Sequence, residues 1–372
     1  MVKYVIKRLL LSLLIIVGVS IIIYVLIRLM PMDYIDQKFQ AQVANGTVKP
    51  EDLIAIKDLY GLRVRYEVYC GSAPDDGTAF YAIFNWANWD PDLAEASLTG
   101  GQRTLCALVS YVEGYSNWLV NALHGDLGQS FKYGDNVVNV ISGSMWISFW
   151  ISLIGTLLQF LIAVPLGIQA AVHQYGAFDY TVTVVSMMGI SLPTFFLGVL
   201  MLSLFSLNLG WFPYQGLTDA TRIFDNNFEK FMDQVHHLIL PIVTLVILSI
   251  GSLMRYTRTN MLEVLNADYI RTARAKGCSE KTVIYRHAFR NTLIPVVTML
   301  AGILPGMFGG AMITEQVFSL PGIGNKAYQA LVVGDVPFVM GYNMFIAILS
   351  VLGTLLADLM YAVVDPRVKI TK

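Results

Sequence analysis

Residues 260–295 read NMLEVLNADYIRTARAKGCSEKTVIYRHAFRNTLIP. Arg271, Arg274, Lys276, Lys281, Arg286 and Arg290 fall inside this stretch, and Arg255 and Arg258 stand just before it. Apolar runs long enough to cross a bilayer flank it on both sides. A cationic loop between two membrane helices is expected in the cytoplasm under the positive-inside rule. The segment 261–276 is rich in Leu, Ala, Arg and Lys, all good helix formers, and Gly277 is placed to end that helix. Ser279 then offers an N-cap for a second helix reaching about Arg290. The expected unit is helix, tight turn, helix. Ala273 and Ala275 are small enough for another surface to come close, and Arg271, Arg274 and Lys276 surround the turn, where they can meet carboxylates of a partner. On these residues alone, a loop that merely sets topology is the simpler reading.

The surrounding chain decides the class. Of 372 residues, 55% are hydrophobic and 14% charged, with a mean hydropathy of +0.59; an ordinary soluble domain carries about 25% charged residues. The deficit is concentrated in uncharged runs of the length a bilayer core requires. The expectation is an all-α integral membrane protein. Net charge is −1, so overall charge selects no acidic partner. The basic residues flank membrane runs and build no separate basic domain, which argues against nucleic-acid binding. Three cysteines, Cys70, Cys106 and Cys278, exclude a disulfide-dense scaffold or a multi-cysteine metal centre.

Outward from the loop, six spans are predicted, with both termini cytoplasmic. Lys3, Lys7 and Arg8 precede the apolar run 9–27; it exceeds a signal-peptide core and no A-x-A-like site follows, so 1–30 reads as a first helix with its N-terminus inside. Residues 31–142 form an extracytoplasmic segment in which acidic residues outnumber basic ones. Within it, the apolar positions between Arg103 and His124 recur at helical spacing, suggesting a helix lying on the outer membrane surface or packed on the other outer loops. A core of five further helices occupies 143–366: spans at about 144–172, 180–207, 238–254, 292–313 and 337–357, with the basic loop at 255–291 and a cytoplasmic tail at 367–372. Outer loops are expected at 208–237 and 315–335. Glu315 and Asp335 then read as solvated loop charges, with contact to an external protein as the rarer alternative. Pro193 and Pro305 fit kinks around a pathway or simple packing bends. His236 and His237, at a predicted membrane boundary, read as interfacial residues and not as metal ligands. The sequon Asn45-Gly46-Thr47 has meaning only in a eukaryotic secretory route.

No phosphate-binding G-x-x-x-x-G-K-[ST] loop, H-E-x-x-H pair or calcium loop occurs in the sequence. No span carries a ladder of central charges of the kind ion-coupled carriers use. If the protein moves a solute uphill, the energy should enter through another chain. An ion-gradient-driven secondary transporter and a membrane scaffold are the rival readings.

The stretch DYIRTARAKGCSEKTVIYRHAFRNTLIPVVT (268–298) resembles the cytoplasmic loop of membrane permeases from binding-protein-dependent ABC importers, in the dipeptide/oligopeptide/nickel branch and of the B subunit type. The resemblance extends to KYVIKRLLLSLLIIVGVSIIIYVLIRLMP (3–31), NALHGDLGQSF (121–131), GISLPTFFLGVLM (189–201), EQVFSLPGIG (315–324) and YAVVDPRV (361–368), covering most of the chain. It implies a type I importer permease architecture in a bacterial or archaeal cell membrane, with no catalytic residue and no cofactor of its own. The partners it implies are a second permease of C type, two ATP-binding subunits that carry ATP and Mg, and an extracellular solute-binding protein. It also implies that the loop around Arg271, Thr272, Ala273, Arg274, Ala275, Lys276, Gly277 and Ser279 docks on an ATPase subunit. The wider family carries E-A-A-x-x-x-G there; Arg271, Thr272 and Ala273 occupy the first three positions, so the glutamate and one alanine are absent. Peptides are the expected cargo, with nickel or another solute as the alternative.

Against the family pattern, about 50 extra residues separate KDLYGL (57–62) from NWLVNALHGDLG (117–128). This insertion, about 63–116, is expected to help dock the binding protein or to decorate the outer face. It carries Cys70 and Cys106, which would lie in an oxidising space; a Cys70–Cys106 disulfide is the expectation, and two separate thiols the alternative.

Overall fold

A computed structural model describes residues 2–28, 39, 100–292, 303 and 305–364. Long helices dominate. They are α1 (Val2–Arg28), α2 (Gly100–Leu123), α3 (Val137–Val172), α4 (Ala177–Ser191) and α5 (Thr194–Met201), which continues as a π-helical turn, Leu202–Asn208. Then follow α6 (Asn227–Leu265), α7 (Asp268–Ala275), α8 (Glu280–Thr282) with a π-helical continuation at Val283–Phe289, α9 (Met312–Val317), α10 (Ile323–Val332) and α11 (Val336–Val364). The extended pairing among the described residues is a lone Gln129–Asn136 bridge. Helices α1, α3, α6 and α11 are long and apolar enough to cross a membrane, and α4 with α5 makes a fifth candidate if the bent pair counts as one span. The protein is thus an all-α integral membrane protein. Half of the span expected at 292–313 falls outside the described residues, as do Cys70 and most of the 63–116 insertion. Cys106 lies on α2, with its side chain outside the described set.

Four sequence expectations are corrected. The span at 180–207 is not one rod: α4 and α5 meet at a 100° bend. Proline supplies the cause, since it lacks an N–H and pushes the residue before it out of the α region; Leu192 has ψ 131° and Pro193 ψ 138°. The helix that carries the fourth span extends well beyond 238–254. Asn226 caps α6 by accepting from the Glu229 N–H at 2.8 Å, and the helix then runs 39 residues to Leu265. At 1.5 Å per residue that is about 58 Å, roughly twice the hydrocarbon thickness, so it absorbs part of the expected outer loop and part of the basic loop. The single helix expected over 261–276 is broken at Asn266, whose Nδ2 donates back to the Leu262 carbonyl at 2.9 Å. Residues 315–335, expected as an outer loop, are largely helical, in α9 and α10.

The residues group into two bodies. One comprises Met1–Val17, Ile141–Gln329 and Met344–Lys372. Its centre is α6. Helix α3 runs parallel to it: Gly155 lies against Leu245, Gln159 Nε2 donates to the Ser249 carbonyl at 2.9 Å, and Gly167 sits so close to Met254 and Thr257 that a Cβ would lie 2.7 Å from the Met254 carbonyl oxygen. Small residues permit such backbone approach in lipid-facing bundles. Buried apolar side chains form two clusters, one around Met254, Met261 and Ile270, the other around Ile151, Leu240 and Phe318.

The other body comprises Gly18–Val140 and Ala330–Asn343. In it α2 packs on α1, with Tyr115 and Ser20 hydroxyls 2.8 Å apart and Tyr115 edge-on to Tyr24. Leu108, Val112, Val120 and Leu123 of α2 remain exposed. Gly341 brings the start of α11 against Leu127 and Val137.

Candidate functional site

The basic loop folds into a compact reverse turn whose two ends are set by local chemistry. Helix α7 opens after Ala267, which is extended, with Asp268 in the first turn, where a carboxylate suits the positive end of the helix dipole. It closes in a Schellman arrangement: the Cys278 N–H reaches the Ala273 carbonyl at 3.3 Å and the Gly277 N–H the Arg274 carbonyl at 2.9 Å. Gly277 has φ +79°, the left-handed region that disfavours any residue with a Cβ. Ser279 is the next N-cap, its side chain accepting from the Thr282 N–H at 3.4 Å. Gly277 and Ser279 thus occupy the stop and start positions read from the sequence.

Helix α7 has two faces. Ile270 and Ala273 are buried in the cluster made by Val164 and Ile168 of α3, Met254 and Met261 of α6, and Val283 and Ala288. Arg271, Thr272, Arg274, Ala275, Lys276 and Gly277 are exposed. Ala273 therefore faces inward, against the expectation that both small residues leave room for a partner; Ala275 alone keeps that role. Arg274 is not free either: its Nε lies 2.8 Å from Glu280 Oε1 across the turn. Arg271 stands 3.8 Å from Asp268, both well exposed. Exposed pairs of this kind contribute about 0–1 kcal/mol, so Arg274 can exchange Glu280 for another carboxylate at little cost. Asn291 Nδ2 donates to the Tyr269 hydroxyl at 3.2 Å and Thr292 Oγ1 to the Ala288 carbonyl at 3.1 Å, tying the returning helical segment of the loop to α7 and to itself.

Two carboxylates expected in solvent are fully buried. Glu315 of α9 accepts from Ser148 Oγ at 2.7 Å, the Ala311 N–H at 3.0 Å and the Asn325 N–H at 2.9 Å. Ser148 itself accepts from the Ile323 N–H at 2.9 Å, which orients its proton toward Glu315. A Cβ on Gly322 would fall 2.6 Å from Ser148 Oγ and 2.5 Å from the Glu315 carboxyl carbon; the glycine of SLPGIGN is there to let the chain wrap the carboxylate. Burial pushes the Glu315 pKa up, outweighing the hydrogen bonds that favour its charged form. In the second body Asp335 accepts from Ser130 Oγ at 2.5 Å and from the N–H groups of Lys132 (3.0 Å), Phe131 (3.2 Å) and Phe338 (3.3 Å). Burial first, and the Asp335 charge second, push the nearby Tyr133 phenol up to about 12. Both carboxylates were misplaced because chain position in a polar loop says nothing about donors brought from more than a hundred residues away.

A third buried carboxylate was missed. Asp179 of α4 takes a two-pronged contact from Arg258 of α6, at 2.6 Å to Nε and 2.7 Å to Nη2, and also accepts from the Tyr175 N–H at 3.0 Å. His237 is buried beside Asp233, 3.5 Å away, and His236 contacts the Trp211 carbonyl at 3.1 Å. Among the described residues no three His, Cys, Asp or Glu side chains gather as a metal site would require.

The family described as Binding-protein-dependent transport system inner membrane component matches residues 163–370, which include α4 to α8 and the whole basic loop. The chain belongs to that family. It is a multi-pass membrane permease, the non-catalytic membrane component of its transport system. The permease is 39% identical over 260 residues to the "Oligopeptide transport system permease protein AppB" of Bacillus subtilis, covering 70% of this chain and 80% of the relative. It is 34% identical over 268 residues to the "Dipeptide transport system permease protein DppB" of Alkalihalophilus pseudofirmus, covering 68% and 80%. Among solved structures, a chain from "Inward facing conformations of the MetNI methionine ABC transporter" overlaps 61% of the permease and 96% of that chain, at 18% identity and a TM-score of 0.46.

Proposed function

We propose that this permease is the B-type half of the translocation pathway of an ATP-driven importer for peptides, assembled with a C-type permease, two ATP-binding subunits and an external solute-binding protein. In this reading the chain crosses the membrane six times, with both termini and the α7 loop cytoplasmic and the run 292–313 as the fifth crossing. The observation that carries the reading is the two-faced α7. One face is buried in a cluster shared with α3, α6 and the Val283–Phe289 turn, and the other presents Arg271, Thr272, Arg274, Ala275, Lys276 and Gly277 to solvent. A short helix so mounted can receive a push from an ATPase subunit and pass it to two membrane helices. ATP and Mg belong to that subunit. Peptide cargo is supported by the printed names of the relatives.

Reconstitution of the permease with these four partners in liposomes is the test. Peptide-loaded binding protein should stimulate ATP hydrolysis and drive peptide uptake. Stimulation by a loaded metal or sugar-binding protein, with none by peptide, would refute the cargo; failure of the ATPase to co-purify would refute the assembly. The insertion at 63–116 is proposed to contact the binding protein, and deleting about 66–113 should weaken that affinity. Cys70 and Cys106 are proposed to be bonded; alkylation with and without reductant should differ by two thiols.

A further inference from the structure

The inner end of α4 is fastened to α6 more firmly than helix packing alone requires. The contacts step from Asp179–Arg258, through Ser186–Gly251, to Gly189–Ile247, so the two helices are antiparallel and touch along most of α4. A Cβ on Gly251 would stand 2.5 Å from the Ser186 carbonyl oxygen, and one on Gly189 3.0 Å from the Ile247 carbonyl oxygen. Where backbones come this close, a specific polar contact can fix the register. Asp179 does so. Its side chain is 4% exposed and that of Arg258 22%, so the pair is shielded from solvent. Asp179 also binds the Tyr175 N–H in the tight α3–α4 turn, where Tyr175 holds φ 62°. One carboxylate thereby joins the α3–α4 turn, the start of α4 and the C-terminal part of α6. A buried ion pair adds little net stability over well-packed apolar residues, and its best-attested use is to specify register.

Position gives that register a consequence. Arg258 lies one turn from Met254 and Met261, which share a buried cluster with Ile270 and Ala273 of α7, and Val182 of α4 packs on the same cluster. The far end of α4 is the 100° bend into α5. We infer that Asp179 and Arg258 are positioning residues of the coupling machinery: their two-pronged pair makes α4 move with α6 when α7 is displaced, so that the push reaches the bend. This rests on the importer reading above.

The test uses the complete importer in liposomes, with Asp179→Asn, with Arg258→Lys, which keeps the charge and loses the fork, and with the exchange D179R/R258D. Spin labels at Val184 of α4 and Val243 of α6, both exposed, report the spacing of the two helices with and without trapped nucleotide. The single variants should lower peptide uptake per ATP hydrolysed by about tenfold, within the roughly 5- to 150-fold range of coupling between sites, and the exchange should recover part of it. The label distance should stay fixed across the cycle in the parent and vary in Arg258→Lys. Unchanged uptake per ATP in the assembled single variants would overturn the inference. So would a label distance in Arg258→Lys as constant as the parent's, a readout that decides the matter even where Asp179→Asn does not assemble. If the parent itself shows no peptide stimulation, the cargo reading fails instead, while the label distances still test the pair.

Discussion

Replacing Glu315 by Gln changes one atom in a cage built entirely of donors. The carboxylate faces Ser148 Oγ and the Ala311 N–H with one oxygen, and the Asn325 N–H with the other. An amide must turn its NH2 toward one side or the other. Facing Asn325, it sets two donors against each other. Facing Ser148 and Ala311, it satisfies the hydroxyl, which can accept, but strands the Ala311 N–H. In either orientation at least one buried backbone N–H loses its partner, at about 1–3 kcal/mol. Relief of the buried charge offsets part of this. By the scaling for domains of about 150–250 residues, each kcal/mol lowers the melting temperature by about 2–4 °C, so a fall of about 2–6 °C is expected in a detergent-solubilised thermal-aggregation assay. Gly322→Ala breaks the same cage from the other side, since its Cβ would press on the carboxyl carbon at 2.5 Å. It should cost at least as much, and the double variant should cost less than the sum. pH adds a sign. Burial raises the folded pKa of Glu315, so its contribution is full below the ordinary value of 4.5 and falls as pH rises through the raised value. The gap between parent and Glu315→Gln should therefore widen on acidification and narrow on alkalinisation. Equal melting temperatures for the parent, Glu315→Gln and Gly322→Ala would refute the cage.

Gly277→Val places a β-branched residue at φ +79° and should destabilise the α7 turn by about 1–2 kcal/mol, read as faster proteolysis of the loop. Gly277→Asn should be milder because Asn tolerates that region; nothing lies within 4 Å of an added Cβ, so the backbone conformation is the expected cause of the loss. Tyr133 should titrate near about 12 by NMR of labelled tyrosine, and Asp335→Asn should lower that value without returning it to 10, because burial is the larger cause. Asp335→Ala leaves four donors without this acceptor and should cost at least about 1–3 kcal/mol, the cost of a buried donor left unsatisfied, measured as loss of monodisperse protein.

The all-α membrane class was legible because the bilayer demands uncharged helical runs of fixed length. So were the Gly277 stop and the Ser279 start, each of which depends on neighbours within a few residues. Length and continuity were less legible. Nothing local to 255–265 marks where α6 leaves the membrane, since Arg, Tyr, Thr and Leu continue a helix in either solvent. The split at Asn266 was hidden by the helix propensity summed over 261–276. The bend at Pro193 had its signal in the sequence, but a proline alone gives a kink no angle.

By itself, the sequence of this permease determined what short-range chemistry controls: which segments are helical, which are apolar enough for lipid, and where the basic turn lies. Only the tertiary structure decided that Ala273 faces inward, that Arg274 is paired with Glu280, and that Asp179, Glu315 and Asp335 are buried. Each of those outcomes depends on groups brought together by folding, such as Ser148 to Glu315 or Arg258 to Asp179. The free energy of a buried carboxylate is set by the donors around it and not by the residues beside it in the chain.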